Sequence, residues 1–155
     1  MLVDTHHHFA TLEITLDLPD THGQQAAAGL TQHPDGPRIQ HQPHFKMIRV
    51  MCSGRIQPGF VLRAFEKGAD GVLVSGCHFG DCHYVFGNER AVEQFDKTKK
   101  MVQLLGLEEG RLRLEWISAA EGVRFAEVIN EFTDQVRKLG PSPFSSPPGA
   151  LYWFG

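Results

Sequence analysis

Cysteine is scarce in this 155-residue sequence: there are three copies, none before position 52. Three thiols cannot build the paired framework that staples small secreted domains, so a reducing compartment fits better and the cytoplasm is the expected location. A basic excess is also missing. Fifteen Lys and Arg stand against 18 Asp and Glu, a formal net charge of −3, which excludes a general electrostatic footprint for nucleic acid. No apolar run approaches the ~20 residues needed to cross a bilayer, and no signal-peptide pattern opens the sequence. The composition, 41% hydrophobic and 21% charged, fits neither disorder nor a coiled coil nor collagen. The length suits one domain with one core.

What is present divides the chain into three parts. Residues 1–45 are irregular and rich in His, Gln, Pro and Gly; seven of the nine histidines fall in the first 44 residues. Residues 46–140 carry strong periodicity. Residues 141–155 form a Pro/Ser-rich tail ending in "LYWFG", an aromatic plug suited to docking on a partner protein. The triplet His6-His7-His8 reads as solvated or partner-facing.

In the middle part, strands and helices alternate. "KMIRVM" (46–51) and "GVLVS" (71–75) read as strands, and the continuous run Val72-Leu73-Val74 suits a strand buried on both faces. "LRLEWI" (112–117) alternates Leu112, Leu114 and Trp116 with Arg113 and Glu115, the pattern of an edge strand. Pro58 opens a helix with Phe60, Val61, Ala64 and Phe65 on its inner face, stopped by Gly68. Asn88 can cap a second helix, striped by Ala91, Val92, Phe95, Val102 and Leu105 and ended by Gly106. Ser118 and Glu121 have capping-box spacing before a third helix on Phe125, Ile129, Phe132, Val136 and Leu139. "TLEITLDL" (11–18) alternates as a further edge strand, followed by a long loop over 19–45. The expected fold is therefore α/β: a small open parallel sheet, flavodoxin-like or Rossmann-like in three layers, with irregular N- and C-terminal extensions.

That topology locates the cysteines. In open parallel sheets, ligand sites lie at the carboxyl ends of strands. Cys52 follows the first core strand, Cys77 follows the second, and Cys82 sits in the loop after it, within "GCHFGDCHY" (76–84). The three thiols are thus expected on one rim, as ligands of a metal or cluster. Gly54, Gly76 and Gly80 flank them and bare the backbone N–H groups that hydrogen-bond cluster sulfurs, and Arg55 offsets thiolate charge. Cys-x4-Cys spacing occurs in plant-type [2Fe–2S] ferredoxins. Other readings stay open on residues alone: a Cys3His zinc site, a thiol nucleophile with a neighbouring histidine as base, or buried core cysteines.

The stretches "RVMCSGR", "GADGVLVSGCHFGDCHY" and "EWISAAEG", on through "INEF" and "KLGP", resemble the delta subunit of methyl-viologen-reducing hydrogenase over about residues 46–142. The resemblance implies a non-catalytic electron-transfer subunit carrying a [2Fe–2S] cluster. It implies an HdrA-like flavoprotein with FAD and iron–sulfur centres as partner, together with further oxidoreductase subunits. Those are hydrogenase-, formate dehydrogenase- or benzoyl-CoA reductase-like modules of anaerobic redox complexes. The family's cysteine positions after the strands fall on Cys52, Cys77 and Cys82. The chain departs from the family at its start, because residues 1–45 hold no cysteine where relatives carry a Cys-x-x-x-Cys-like motif. A histidine could stand in: His78 or His83 locally, His41 or His44 from upstream. A partner could supply the ligand, or the domain could be a cluster-free structural adaptor.

Overall fold

The computed structural model describes residues 10–15, 29–30, 40–41, 45–82, 84–118 and 121–145. Among the described residues, six strands and three α-helices follow in the order β1 (Ala10–Thr15), β2 (Gly29–Leu30), β3 (Gln40–His41), β4 (Phe45–Val50), α1 (Pro58–Glu66), β5 (Gly71–Gly76), α2 (Gly87–Leu104), β6 (Leu112–Trp116) and α3 (Gly122–Leu139). The main sheet has the order β4-β1-β5-β6, and β2 and β3 pair in a small separate ribbon inside the expected loop.

The fold is α/β with a parallel β5–β6 pair. One correction concerns β1. Its alternation suggests an edge strand over 11–18, but it spans Ala10–Thr15 and is inserted between β4 and β5, antiparallel to both. A strand antiparallel to two neighbours leaves those neighbours pointing the same way. The carboxyl ends of β4, β5 and β6 therefore still share one edge, which is the geometry the site needs. Ala10 pairs with Val50, Thr11 with Ser75, and Gly76 with Trp116, all along that edge.

The sheet is packed on both faces. Val72, Val74 and Leu112 meet α1 and α2 through Val61, Ala64, Phe65 and Val102, and Leu73 faces α3 through Ile129, Phe132 and Val136. β5 is buried along its whole length, and each of its three large apolar side chains contributes about 1.5–3 kcal/mol on burial. β6 is the edge strand expected. Phe60 departs from the predicted stripes: at 52% exposed it lies outside the Val61-Ala64-Phe65 arc that α1 turns inward. Leu105 and Leu139 likewise lie partly in solvent at helix ends.

The helix stops fall where the sequence puts them. At the end of α1, the Gly68 and Ala69 N–H groups donate to the Phe65 and Ala64 carbonyls. At the end of α2, Gly106 and Leu107 do the same to Gln103 and Val102, so both are the glycine-ended double bond that closes a helix. The α3 start uses the predicted Glu121, whose carboxylate accepts the Ser118 N–H at 2.6 Å. Arg111, 1% exposed, anchors the far end: its guanidinium donates to the carbonyls of Asp70, Gly140, Leu139 and Pro141 and to Glu108. The tail plug 151–155 and the His6-His7-His8 triplet lie outside the described residues.

Candidate functional site

Cys52 follows β4 with an extended backbone (φ −160°, ψ 140°) and leads into a single 3₁₀ turn, Ser53–Arg55. Cys77 directly follows β5. Cys82 comes after a tight turn in which the Asp81 N–H donates to the His78 carbonyl at 3.1 Å. Gly80 supplies the positive φ (92°) that such a turn requires at its third position. The three thiols thus come from three segments on one edge of the sheet, as the topology predicts.

Two close backbone approaches bring them together. A Cβ on Gly54 would stand 2.9 Å from the Gly87 Cα, so the turn after β4 and the start of α2 touch backbone to backbone. A Cβ on Gly76 would meet the Ser53 side chain at 2.8 Å and the Trp116 ring at 3.0 Å. Gly87 is the centre of the arrangement, for a Cβ there would lie 2.7 Å from the Cys82 sulfur and closer still to that of Cys52.

Electrostatics distinguish the three. Burial opposes ionisation of Cys82, yet the backbone N–H groups of Tyr84, Gly87 and Asn88 and the Cys52 thiol outweigh it and lower its pKa. Two of those donors are the first residues of α2, where N–H groups lack helical partners and the dipole favours an anion. Burial raises the Cys52 thiol against the Gly54 N–H, and the Cys82 charge adds to the rise. Burial, then the Cys82 and Cys52 neighbours, push Cys77 up to about 11. Cys82 is thus the one of the three whose ionisation its surroundings favour. Cys77 also donates to Asn88 Oδ1 at 3.8 Å, while Asn88 Nδ2 donates to the Cys77 carbonyl at 2.5 Å. Asn88, expected as a helix cap, is instead buried inside α2's first turn and holds the Cys77 loop.

His78 points elsewhere. Its Nε2 lies 2.6 Å from Glu121 Oε2, tying the cysteine loop to the start of α3. The Ser118 N–H and His78 together hold the Glu121 carboxylate below its usual range. His83 and the side chains of His41 and His44 lie outside the described residues. Gly80 acts through its turn, and Gly76 by leaving room. Arg55 is exposed at the mouth of an open cavity of about 510 Å³ that it lines with Met51, Cys52, Tyr84, Phe86, Gly87 and Arg90. Trp116 is half-buried and packs edge-on against Phe79, centroids 4.9 Å apart.

Between Cys82 and α2 the chain is strained. Val85 has φ 59°, an outlier for a β-branched residue. The Phe86 N–H donates to the Tyr84 carbonyl at 2.6 Å across it. This tight turn accompanies the Tyr84 N–H donation to Cys82 and leaves Tyr84, Val85 and Phe86 exposed.

Residues 23–140 match the family model described as methyl-viologen-reducing hydrogenase, delta subunit. The chain belongs to this family. Among its relatives is an iron-sulfur subunit of the F420-non-reducing hydrogenase of Archaeoglobus profundus, to which the chain is 51% identical over 107 residues, covering 69% of the chain and 78% of the relative. The vhc iron-sulfur subunit of the F420-non-reducing hydrogenase of Methanococcus voltae is 44% identical over 114 residues, with 74% and 79% covered. A third relative is larger. Over 104 residues, 67% of the chain, the match is 48% identical to 13% of a ferredoxin/F420H2-dependent CoB-CoM heterodisulfide reductase polypeptide of Methanosarcina acetivorans.

The site fits an iron–sulfur group in kind. Its donors are soft thiols, and the second layer is backbone N–H, the chemistry that holds and tunes such clusters. The glycine at 87 keeps the space before the sulfurs clear. Among the described residues no three Cys, His, Asp or Glu side chains are set out as a ready metal-ligand group; the thiols hydrogen-bond to one another around Cys82 instead. Sequence reasoning misses Gly87, Asn88 and Arg90 as site residues. Their position at a helix start five to eight residues after Cys82 is the available signal.

Proposed function

We propose that this chain is a non-catalytic electron-transfer subunit in which Cys52, Cys77 and Cys82 hold a [2Fe–2S] cluster, relaying electrons between an HdrA-like flavoprotein and another oxidoreductase module. The observation that carries this is the convergence of three thiols on one edge of the sheet: Cys52 and Cys82 meet against Gly87, with N–H groups of Gly54, Tyr84, Gly87 and Asn88 turned to their two sulfurs, and Asn88 holds Cys77 beside them. The iron-sulfur names of the relatives support it. When bound, the cluster supplies a one-electron donor and acceptor. Gly54 and Gly76 allow the close packing that gathers the thiols, Gly80 turns the loop, and Arg55 offsets their negative charge. His83, next to Cys82, is the local candidate for the fourth ligand, with a partner protein as the other source; His78 is engaged by Glu121.

The relay needs a contact face beside the thiols, since electron transfer weakens steeply with distance. Met51, Tyr84, Val85 and Phe86 are exposed there, and Arg55 and Arg90 line the same opening. We assign this face to the HdrA-like flavoprotein. The Methanosarcina relative, in which a matching segment is part of a much longer heterodisulfide reductase polypeptide, supports that partner, and the two arginines fit an acidic edge on it. Phe86→Ser is expected to weaken binding to the HdrA-like flavoprotein about tenfold or more, the loss of one aromatic anchor, with iron content unchanged. Titration calorimetry on the iron-loaded chain checks this. Unaltered affinity would put the contact elsewhere.

A further inference from the structure

Ser53 is fully buried, and its hydroxyl has no hydrogen-bond partner among the described residues. Buried hydroxyls are nearly always paired, because an unpaired one has given up its bonds to water for nothing. The position of this orphan is specific. Its chain neighbours are Cys52 and Gly54, and the Gly54 N–H faces the Cys52 sulfur. The residue it rests on is Gly76, which directly precedes Cys77; a side chain at 76 would stand 2.8 Å from the Ser53 oxygen. The hydroxyl therefore sits where the two backbone segments carrying Cys52 and Cys77 touch.

The nearby backbone carbonyls already serve other donors. The Ser53 carbonyl takes the Ile56 N–H at 3.0 Å, and the Cys52 carbonyl takes that of Arg55. The Cys77 carbonyl is used by Asn88. A sulfur-ligated group held by Cys52 and Cys77 brings sulfur acceptors to this junction. We infer that Ser53 is a hydrogen-bond donor to the sulfur atoms of that group and raises its reduction potential. The inference rests on the iron–sulfur reading of the site. A donor to sulfur favours the more negative, reduced state, so the potential rises with the bond. Ser53 touches no reacting substrate; it positions and tunes.

The test compares the full chain in its complex with Ser53→Ala and, as control, Thr98→Val. Thr98 is also a buried hydroxyl, but it donates to the Gln94 carbonyl inside α2. Iron and sulfide content are measured first, then the midpoint potential by titration followed by EPR, then thermal unfolding of the metal-free chains. The expected result is a lower midpoint potential in Ser53→Ala and an unchanged one in Thr98→Val. The metal-free Ser53→Ala chain is expected to be no less stable than the wild type, because it loses only an unpaired group. An unchanged potential overturns the role of Ser53. So does a less stable or unfolded metal-free variant, which would mean the hydroxyl is bonded within the fold. Absence of iron and sulfide from the wild type would instead overturn the reading of the site on which the role depends.

Discussion

Gly87→Ala is expected to abolish cluster binding while leaving the fold nearly intact. Gly87 opens α2 without a positive φ, so an alanine meets no backbone strain there. The conflict is steric: the new Cβ would be 2.7 Å from the Cys82 sulfur and nearer that of Cys52. In the metal-free chain the two thiols can rotate about χ1 and escape, at a cost of about 1 kcal/mol for an off-rotamer side chain. Once swung aside, they no longer share a ligand position. Iron per chain should therefore fall below roughly a tenth of wild type, the consequence of losing two of three thiolate ligands. Urea unfolding of the metal-free variant should shift by no more than about 1 kcal/mol. A Gly87→Ala chain with full iron content would contradict the arrangement described for Cys52 and Cys82.

The second large effect concerns the metal-free thiols. Iodoacetamide at pH 7 is expected to label Cys82 first and Cys77 last. The thiolate is the nucleophile. A thiol pushed up to about 11 from an ordinary value of 9.0 is ionised about a hundredfold less often at neutral pH, since each pKa unit is a factor of ten. The more basic thiolate is intrinsically more reactive, which returns about a factor of ten. Cys82 lies below the ordinary value, so the net preference over Cys77 is about tenfold or more. The preference depends on pH in a defined way: as pH rises toward 11, Cys77 ionises and the preference shrinks. The three titrate as a coupled set, so the observable is the order and pH trend of labelling by peptide mass spectrometry. Equal labelling at pH 7 would mean the backbone N–H groups of Tyr84, Gly87 and Asn88 do not favour a Cys82 thiolate.

The elements that fix the fold are readable where local patterns are strong. Val72-Leu73-Val74 reads as a doubly buried strand because three consecutive apolar residues need cover on both faces, and α2 and α3 read from their stripes and end glycines. The rim position of Cys52 and Cys77 follows from chain direction alone. The placement of β1 between β4 and β5 is not readable: an alternating strand fits an edge and an inner position equally well, and which one it takes depends on pairings distant in sequence. Phe60 misleads because its spacing sits at the margin of the helix's inner arc. At the site, Asn88 resembles a cap because it stands at a helix start; only the folded structure shows its amide turned to the Cys77 carbonyl. Gly87 carries no side chain to give a signal. Its importance lies in what cannot fit there, which is a property of packing. The Ser53 hydroxyl is likewise silent in sequence, since a buried unpaired donor is recognised by its surroundings.

The central claim is that Cys52, Cys77 and Cys82 together hold an iron–sulfur cluster. Its most direct test is iron and acid-labile sulfide analysis with EPR after dithionite, on anaerobically purified wild-type chain in its complex and on Cys77→Ser. About two irons and two sulfides per chain, with a reduced-state signal that Cys77→Ser loses while the complex still assembles, is the predicted result. An assembled complex in which the wild-type chain carries no iron or sulfide, or a spectrum unchanged by Cys77→Ser, would contradict it and leave the chain a structural adaptor.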